Sequence, residues 1–250
     1  MEGFLLLHKP VGVTSRHCVN HIFNIIKRDT GLKPKIGHTG TLDLFASGLL
    51  IIAISRTVTR EIDHIMKYDK TYIATAQLGQ LTDTLDHTGS VLLVDQNASS
   101  ITYMQLKQAI KSFGIAYEQI PPAYSALEYS GRRLSDLARE KSITPEEMNQ
   151  IAQAKSRLIT LHTVELQAHN LDLFTVRARV SHGAYIRSLM NDIASRAGTH
   201  ATTHELERAA IGPFALDQVV LLSDITTIDH IVVNCISVES MLLKIAEYKM

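Results

Sequence analysis

The chain has 250 residues, of which 45% are hydrophobic and 20% charged, so it can bury a sizeable core and has the composition of an ordinary globular protein. Its formal net charge is zero, which argues mildly against nucleic acid as a partner, because nucleic-acid binders often carry a strong positive balance. Cys18 and Cys235 lie far apart and form no CxxC pair, which argues against a disulfide framework or a zinc ribbon. The sequence shows no signal peptide or membrane span and predicts a cytoplasmic protein.

The first half of the chain alternates short apolar strands with helices. Residues 4–7 are typical of a short buried strand, and Thr14 or Ser15 can cap a helix that ends before Gly31. Its apolar residues fall at helical spacing and are Val19, Ile22, Phe23 and Ile26. The apolar run at residues 49–54 predicts a buried strand, and the alternation over residues 71–78 predicts a half-buried one.

The second half adds strands at residues 91–94 and 159–166, and an alternating strand over residues 174–180. Helices are predicted around residues 106–113 and 134–138, from the capping box at residues 144–147, and over residues 183–197. Residues 228–238 have a strand pattern and residues 239–248 a helical one. Irregular alternation with hairpin-like neighbours predicts an α+β fold with a mixed, mainly antiparallel sheet flanked by helices.

A single carboxylate, Asp43, lies between a segment rich in glycine and threonine, residues 37–41, and the apolar run at residues 49–54. Gly37, Gly40 and Gly48 allow backbone angles and close approaches that residues with side chains resist. An acid beside a core strand loses solvation, so it must be paired, protonated or reactive. A lone loop aspartate usually caps a turn, but the whole stretch favours a reactive group.

Residues 37–50, GHTGTLDLFASGLL, resemble the loop that carries the catalytic aspartate in the TruB family of pseudouridine synthases. Phe45, where that family often has Pro, is a small departure. Lys9-Pro10 and Thr14-Ser15 match the way family members begin, and the resemblance extends over residues 4–214. It implies the pseudouridine synthase fold in a catalytic domain at residues 1–214. Residues 215–250 would form a short extension, too short for the PUA domain of many bacterial relatives.

The resemblance also implies roles for individual residues. Asp43 would be the nucleophile, Tyr72 would stack on the target base and move a proton, and Arg187 would pair with Asp43. The substrate-binding residues would be His38, Tyr185, Leu206 and Lys9. Asp83 and Asp86 match a family Thr-Asp-Thr-x-Asp segment and would hold their loop. The implied reaction is isomerisation of a T-loop uridine of tRNA, of the pseudouridine 55 synthase type, without cofactor or metal.

Two basic clusters lie within the neutral chain. One comprises Lys27, Arg28, Lys33 and Lys35, and the other Arg132, Arg133 and Arg139. Charge runs are usually solvated faces, but near a pocket they can hold a phosphate backbone. We therefore expect Arg132 and Arg133 to contact the T arm of tRNA. Neither a membrane nor an obligatory protein partner is indicated.

Other classes remain open. A metal-dependent hydrolase could use Asp83, Asp86 and His87, or the pair His200 and His204 at helical spacing, although that pair lacks the glutamate of an HExxH motif. A P-loop is poorly supported, because no Gly-Lys-Ser/Thr ends the glycine loop. A non-catalytic RNA-binding module would show basic and aromatic enrichment. Activity that depends on a divalent metal would identify the hydrolase, and nucleotide binding would identify the P-loop protein. RNA binding without product would identify the RNA-binding module.

Overall fold

The computed structural model describes residues 2–125, 128–140 and 142–248. The described strands are β1 Gly3–Lys9, β2 Ile36–His38, β3 Ser47–Ile54, β4 Lys70–Leu78, β5 Gln80–Thr82, β6 Val91–Val94, β7 Ala116–Gln119, β8 Glu128–Tyr129, β9 Arg132–Arg133, β10 Arg157–Asn170, β11 Leu173–Val180, β12 Ala201–Ile211, β13 Phe214–Ala215, β14 Val220–Leu221 and β15 Cys235–Ile236. The α-helices are α1 Ser15–Thr30, α2 Ile62–Met66, α3 Tyr103–Lys111, α4 Leu134–Arg139, α5 Pro145–Ala154, α6 Ile186–Arg196, α7 Ile228–Asn234 and α8 Val238–Tyr248.

The chain forms two compact units. The first contains the residues up to 72 together with those from 206 onward, and the second contains residues 73–205. Residues 215–250 therefore belong to the same unit as the N-terminal strands. The boundary at residue 214, which was placed from the resemblance, stays a prediction.

The first unit is built around β3. It pairs antiparallel with β1 over that strand's whole length and antiparallel with β2, and it pairs parallel with β12. Successive side chains of a strand point to opposite faces, and the two faces of this sheet carry separate cores. One contains Leu5, Leu7, Leu50 and Ile52 with the apolar side of α1, and the other contains Phe4, Leu6, Leu49 and Ile51 with Met241 of α8.

Helix α1 confirms the predicted helix and its ends. The Thr14 hydroxyl accepts a hydrogen bond from the main-chain N–H of His17 at 3.0 Å, and Gly31 closes the helix with φ of 73°. That left-handed conformation suits glycine, which has no Cβ. Val19, Ile22 and Ile26 are buried, as their spacing predicts.

The second unit contains a long hairpin of β10 and β11, with β7 antiparallel to the other edge of β10. Phe174, Val176, Ala178 and Val180 are buried, which confirms the predicted alternation along β11. Helix α6 lies next to α3 in this unit. The first unit has a mixed sheet, with parallel and antiparallel pairs, and in the second unit β10 pairs antiparallel with both β11 and β7. Helices accompany the strands of both units, and the α+β prediction is confirmed.

Two local predictions need correction. The predicted strand at residues 228–238 is wrong, because residues Ile228–Asn234 form α7, with the Thr227 hydroxyl as its cap, and only Cys235–Ile236 pair as a strand. The predicted helix at residues 183–197 begins later, at Ile186, after a turn in which Gly183 has φ of 83°. Within the described ranges, no helix is long and apolar enough to span a membrane.

Candidate active site

The loop that carries Asp43 belongs to the first unit and is fixed mainly through its backbone. The N–H of Leu42 donates to the Ser15 hydroxyl at 3.0 Å, and the N–H of Gly12 donates to the Leu44 carbonyl at 2.9 Å. Leu42 is buried, whereas Asp43 is partly exposed. Buried neighbours thus anchor the loop on either side of the aspartate.

Arg208, which was not predicted from the sequence, fastens the same loop from β12. Its side chain is 2% exposed, and it donates to the carbonyl of Leu49 at 2.8 Å and of Gly40 at 3.0 Å. Gly48 has φ of 109°, and a Cβ there would lie 2.5 Å from the Arg208 carbonyl oxygen. The glycine noted in the motif is therefore required by the close approach of β12 to β3.

Lys9 is fully buried beside this loop. Its ammonium donates to the carbonyls of Pro10 at 2.9 Å and Val13 at 2.7 Å. Burial lowers the pKa of Lys9 to about 8, while the charge of Asp43 opposes that shift. These bonds hold the turn between β1 and α1. The substrate-binding role expected for Lys9 stays a prediction.

Three other predicted site residues lie in the first unit. The Nδ1 atom of His38 accepts a hydrogen bond from the Gly40 N–H at 3.3 Å, which orients the ring within the Asp43 loop. Tyr72 is partly exposed on β4, and Leu206 is buried on β12. Lys70, two residues before Tyr72, was not predicted; it is buried and donates to the carbonyls of Met66 and Tyr68.

Arg187 belongs to the second unit and is the second residue of α6, with 5% of its surface exposed. One terminal nitrogen donates to the carbonyl of Thr84 at 2.6 Å and to Asp86 Oδ2 at 3.2 Å. The other donates to the Tyr124 carbonyl at 3.1 Å. A cation at this end of a helix opposes the helix dipole. These specific acceptors account for its stable burial there.

The second oxygen of Asp86 is held equally closely. It accepts from the N–H and hydroxyl of Thr88, at 3.0 and 2.5 Å, and from the hydroxyl of Thr84 at 3.0 Å. Asp83 accepts from the N–H of Ser90 at 2.8 Å. The predicted role of Asp83 and Asp86 in holding this loop is confirmed. The structure adds that Asp86 also holds Arg187.

Tyr185 directly precedes α6. The guanidinium carbon of Arg157 lies 5.0 Å from the centre of the Tyr185 ring, within the range of a cation–π contact. The main chain of Tyr185 is bound at both its N–H and its carbonyl by the Gln119 side chain. Gln119 and Arg157 were not predicted from the sequence.

Arg132 is exposed on the β8–β9 hairpin of the second unit. It donates to both carboxylate oxygens of Glu140 at 2.6 Å, and this bonding raises the pKa of Arg132. Any anion that approaches Arg132 would compete with Glu140, and the T-arm contact expected for Arg132 stays a prediction. The side chains of Arg133 and Arg139 lie outside the described residues.

The helical spacing on which the His200 and His204 alternative was based is wrong. Residues 201–211 form β12, and the His204 ring lies 5.4 Å from that of His87, centre to centre. Burial and the charge of His87 lower the pKa of His204. Among the residues that the structure describes, no group of three or more His, Cys, Asp or Glu side chains is placed to hold a metal ion.

Comparison with known proteins identifies the family. The model of the TruB family pseudouridylate synthase N-terminal domain matches residues 27–186. The tRNA pseudouridine synthase B of Clostridium novyi is 38% identical over 243 residues, covering 97% of this chain and 78% of the relative. The enzyme of the same name from Clostridium tetani is 39% identical, covering 90% of this chain and 73% of the relative.

Solved structures agree with this family. The crystal structure of a Cbf5-Nop10-Gar1 complex contains a chain that is 26% identical, with a TM-score of 0.63. The match covers 89% of this chain and 53% of that one, so this chain spans about half of its length. From the family match, the relatives and the fold, the chain belongs to the TruB family of pseudouridylate synthases, which are isomerases.

Proposed function

We propose that this protein converts a uridine in the T loop of tRNA, at position 55, to pseudouridine, with Asp43 as the nucleophile. The observation that carries the proposal is the Asp43 loop, whose main chain is bound by buried groups while Asp43 itself stays partly exposed. The names of the relatives, tRNA pseudouridine synthase B, support tRNA as the substrate.

The chemistry needs a carboxylate and no external reagent. Asp43 attacks C1′ of the ribose, and the N1–C1′ bond breaks with its electron pair leaving on the base. The base turns, C5 bonds to C1′, and the Asp43 carboxylate leaves. The proton on C5 is lost and one is gained at N1. Product and substrate therefore have the same atoms and the same oxidation state.

Arg187 and Tyr72 act around this centre. A guanidinium can stabilise the negative charge of a carboxylate through charge-assisted hydrogen bonds, so we assign Arg187 as the partner of Asp43. Asp86, Thr84 and Tyr124 support this role, because together they fix the guanidinium in one orientation. Tyr72 offers an aromatic face to the base and a hydroxyl to move a proton.

The target uridine must leave the stacked loop before it can react, at a cost of roughly a few kcal/mol. His38, Tyr185 and Leu206 are assigned to the pocket that receives the base. With zero net charge on the chain, the T arm would be held by local Lys and Arg contacts to phosphates.

The test is to map pseudouridine at single-nucleotide resolution in RNA that lacks the modification. Bulk RNA and an unmodified tRNA transcript are incubated with the wild-type protein and, separately, with the Asp43→Asn variant. We expect the T-loop uridine to react in the wild-type sample alone. Pseudouridine only at other positions would reject the substrate assignment, and an active variant would reject Asp43.

A further inference from the structure

The side chain of Gln119, at the end of β7, binds the main chain of one residue at two points. Its carbonyl oxygen accepts from the N–H of Tyr185 at 2.7 Å, and its amide nitrogen donates to the Tyr185 carbonyl at 3.0 Å. Gln119 is 1% exposed, so these bonds form away from water. Such double binding needs a donor and an acceptor in one planar group, which a glutamine amide supplies.

A chain of hydrogen bonds fixes which way this amide points. The Tyr117 hydroxyl donates to Asp192 Oδ2 at 3.2 Å, and its oxygen accepts from the Gln119 amide nitrogen. Above its pKa of about 6, the ionised Asp192 carboxylate can only accept, so Tyr117 must donate to Asp192 and accept from Gln119. The Gln119 oxygen is thereby directed to the Tyr185 N–H.

The same segment binds α6 at two more points. The Ser188 hydroxyl donates to the Ile120 carbonyl at 2.8 Å, and Arg187 donates to the Tyr124 carbonyl at 3.1 Å. Among these contacts, the Gln119 amide is the one that fixes the backbone immediately before the helix. A shift of Tyr185 would move the first turn of α6 and Arg187 with it.

We propose that Gln119 is a positioning residue for the isomerisation: by clamping the main chain of Tyr185, it sets the placement of the Tyr185 ring and of the Arg187 guanidinium. The inference rests on the proposed function, in which Tyr185 lines the base pocket and Arg187 partners Asp43. Gln119 would then act on the reaction through Tyr185 and Arg187, without touching the substrate itself. Its loss should lower the rate of the chemical step and leave RNA affinity nearly unchanged.

The decisive variant is Gln119→Glu. An ionised carboxylate cannot donate, so it would repel the Tyr185 carbonyl, whereas the protonated acid can donate to that carbonyl and accept from the N–H. Because Gln119 is 1% exposed, we expect burial to raise the pKa of a carboxyl at this position. We expect the single-turnover rate to fall about tenfold or more at pH 8, since small misplacements of reacting groups are costly. The rate of the variant divided by that of wild type at the same pH should recover as the pH is lowered to 6, because Asp192, whose pKa is about 6, titrates in both proteins.

Gln119→Leu serves as the pH-insensitive comparison, and Gln77→Leu as the matched control. Gln77 is a partly buried glutamine of the same unit whose amide donates to Asp172 at 2.9 Å. We expect Gln77→Leu to keep the wild-type rate and Gln119→Leu to be slow at every pH. RNA dissociation constants should stay within about twofold, and circular dichroism identifies variants that fold.

The outcomes separate this inference from the proposed function. A wild-type rate for Gln119→Glu at pH 8, or a slow rate without recovery at pH 6, overturns the role of Gln119. Equal losses in the Gln119→Leu and Gln77→Leu variants also overturn it. If Gln119→Leu does not fold, the pH profile of Gln119→Glu decides. If Arg187→Lys is inactive while the Gln119 variants are normal, only the positioning role of Gln119 is rejected. If Arg187→Lys is fully active, the role proposed for Arg187 is rejected.

Discussion

Arg187 and Asp86 form an ion pair in the second unit, with 3.2 Å between Nη1 and Oδ2 and side chains that are 5% and 6% exposed. The remaining oxygen of Asp86 is occupied by Thr84 and Thr88. Taking two charges out of water is costly, and close geometry with further hydrogen bonds offsets that cost. The pair therefore holds Arg187 in one place at the start of α6, as its proposed partnership with Asp43 would require.

Replacing Asp86 by Asn should reduce both stability and turnover. The amide keeps the shape of the side chain but removes its charge, leaving Arg187 buried beside a neutral group. We expect urea denaturation to show a loss of about 3 kcal/mol in unfolding free energy. The single-turnover rate constant should fall tenfold or more. Asp83→Asn, which alters the bond to Ser90, is the control. Equal loss of turnover in both variants would contradict a specific role for Asp86.

Asp43→Asn should abolish pseudouridine formation and leave RNA affinity within a few-fold of wild type. The amide preserves the shape of the side chain, but it cannot supply the carboxylate that we propose attacks the sugar. Turnover and filter binding would be measured on preparations checked by mass spectrometry for deamidation. Product formation by a clean preparation would exclude Asp43 as the nucleophile.

The Arg132–Glu140 pair leads to opposite expectations for its two partners. Glu140→Gln should lower KM, because Arg132 no longer has a carboxylate that competes with phosphate. Changing Arg132 and Arg133 together to Glu should raise KM much more than it lowers kcat, since phosphate contacts position the RNA. Steady-state kinetics at low and high salt would test both, and an unchanged KM in the double variant would remove this hairpin from the interface.

A minimal T-arm hairpin should be modified nearly as well as whole tRNA. The proposed target is compact, and a chain of zero net charge should rely on few phosphate contacts. We expect weak binding whose logarithm falls linearly with the logarithm of salt concentration. Comparing kcat/KM for the two substrates checks this, and an inert hairpin beside a well-modified tRNA would contradict it.

Asp192 should make stability depend on pH. Burial raises its pKa to about 6, although its bond to Tyr117 and the charge of Arg196 oppose the shift. The folded state thus binds the Asp192 proton more tightly than the unfolded state. The free energy of unfolding that this proton contributes is fully present below the unfolded pKa of about 4, and it is lost as the pH rises through 6. Asp192→Asn removes this loss, so relative to wild type it should gain on the order of 2 kcal/mol between pH 4 and pH 8. Urea denaturation at both pH values would measure it, and a pH-independent difference would contradict it.

Local features could be read from the sequence because their causes are local. Thr14 and Gly31 end α1 through their own side-chain and backbone properties, and the alternation along β11 follows from the two-residue period of a strand. The Asp43 loop was identified for the same reason, since its motif is continuous.

Secondary-structure predictions from the local sequence were wrong where the intrinsic propensity of a segment and its packing in the core disagreed. Residues 228–238 are rich in β-branched side chains, yet the Thr227 cap and burial of Ile231 on one side select a helix, with Val233 left 82% exposed. His200 and His204 have helical spacing, but their segment continues into β12. In each case the core decided which periodicity was used.

The sequence alone determined the family, the fold class and the position of the Asp43 loop, because each depends on a continuous pattern. Tertiary structure decided which polar groups are buried and what binds them. Asp86 and Arg187 are 101 residues apart, and Gln119 and Tyr185 are 66 apart. Arg208 reaches Gly40 across 168 residues. A buried charge or amide is stable only where distant chain segments supply matching donors and acceptors, and that matching is a property of the folded chain.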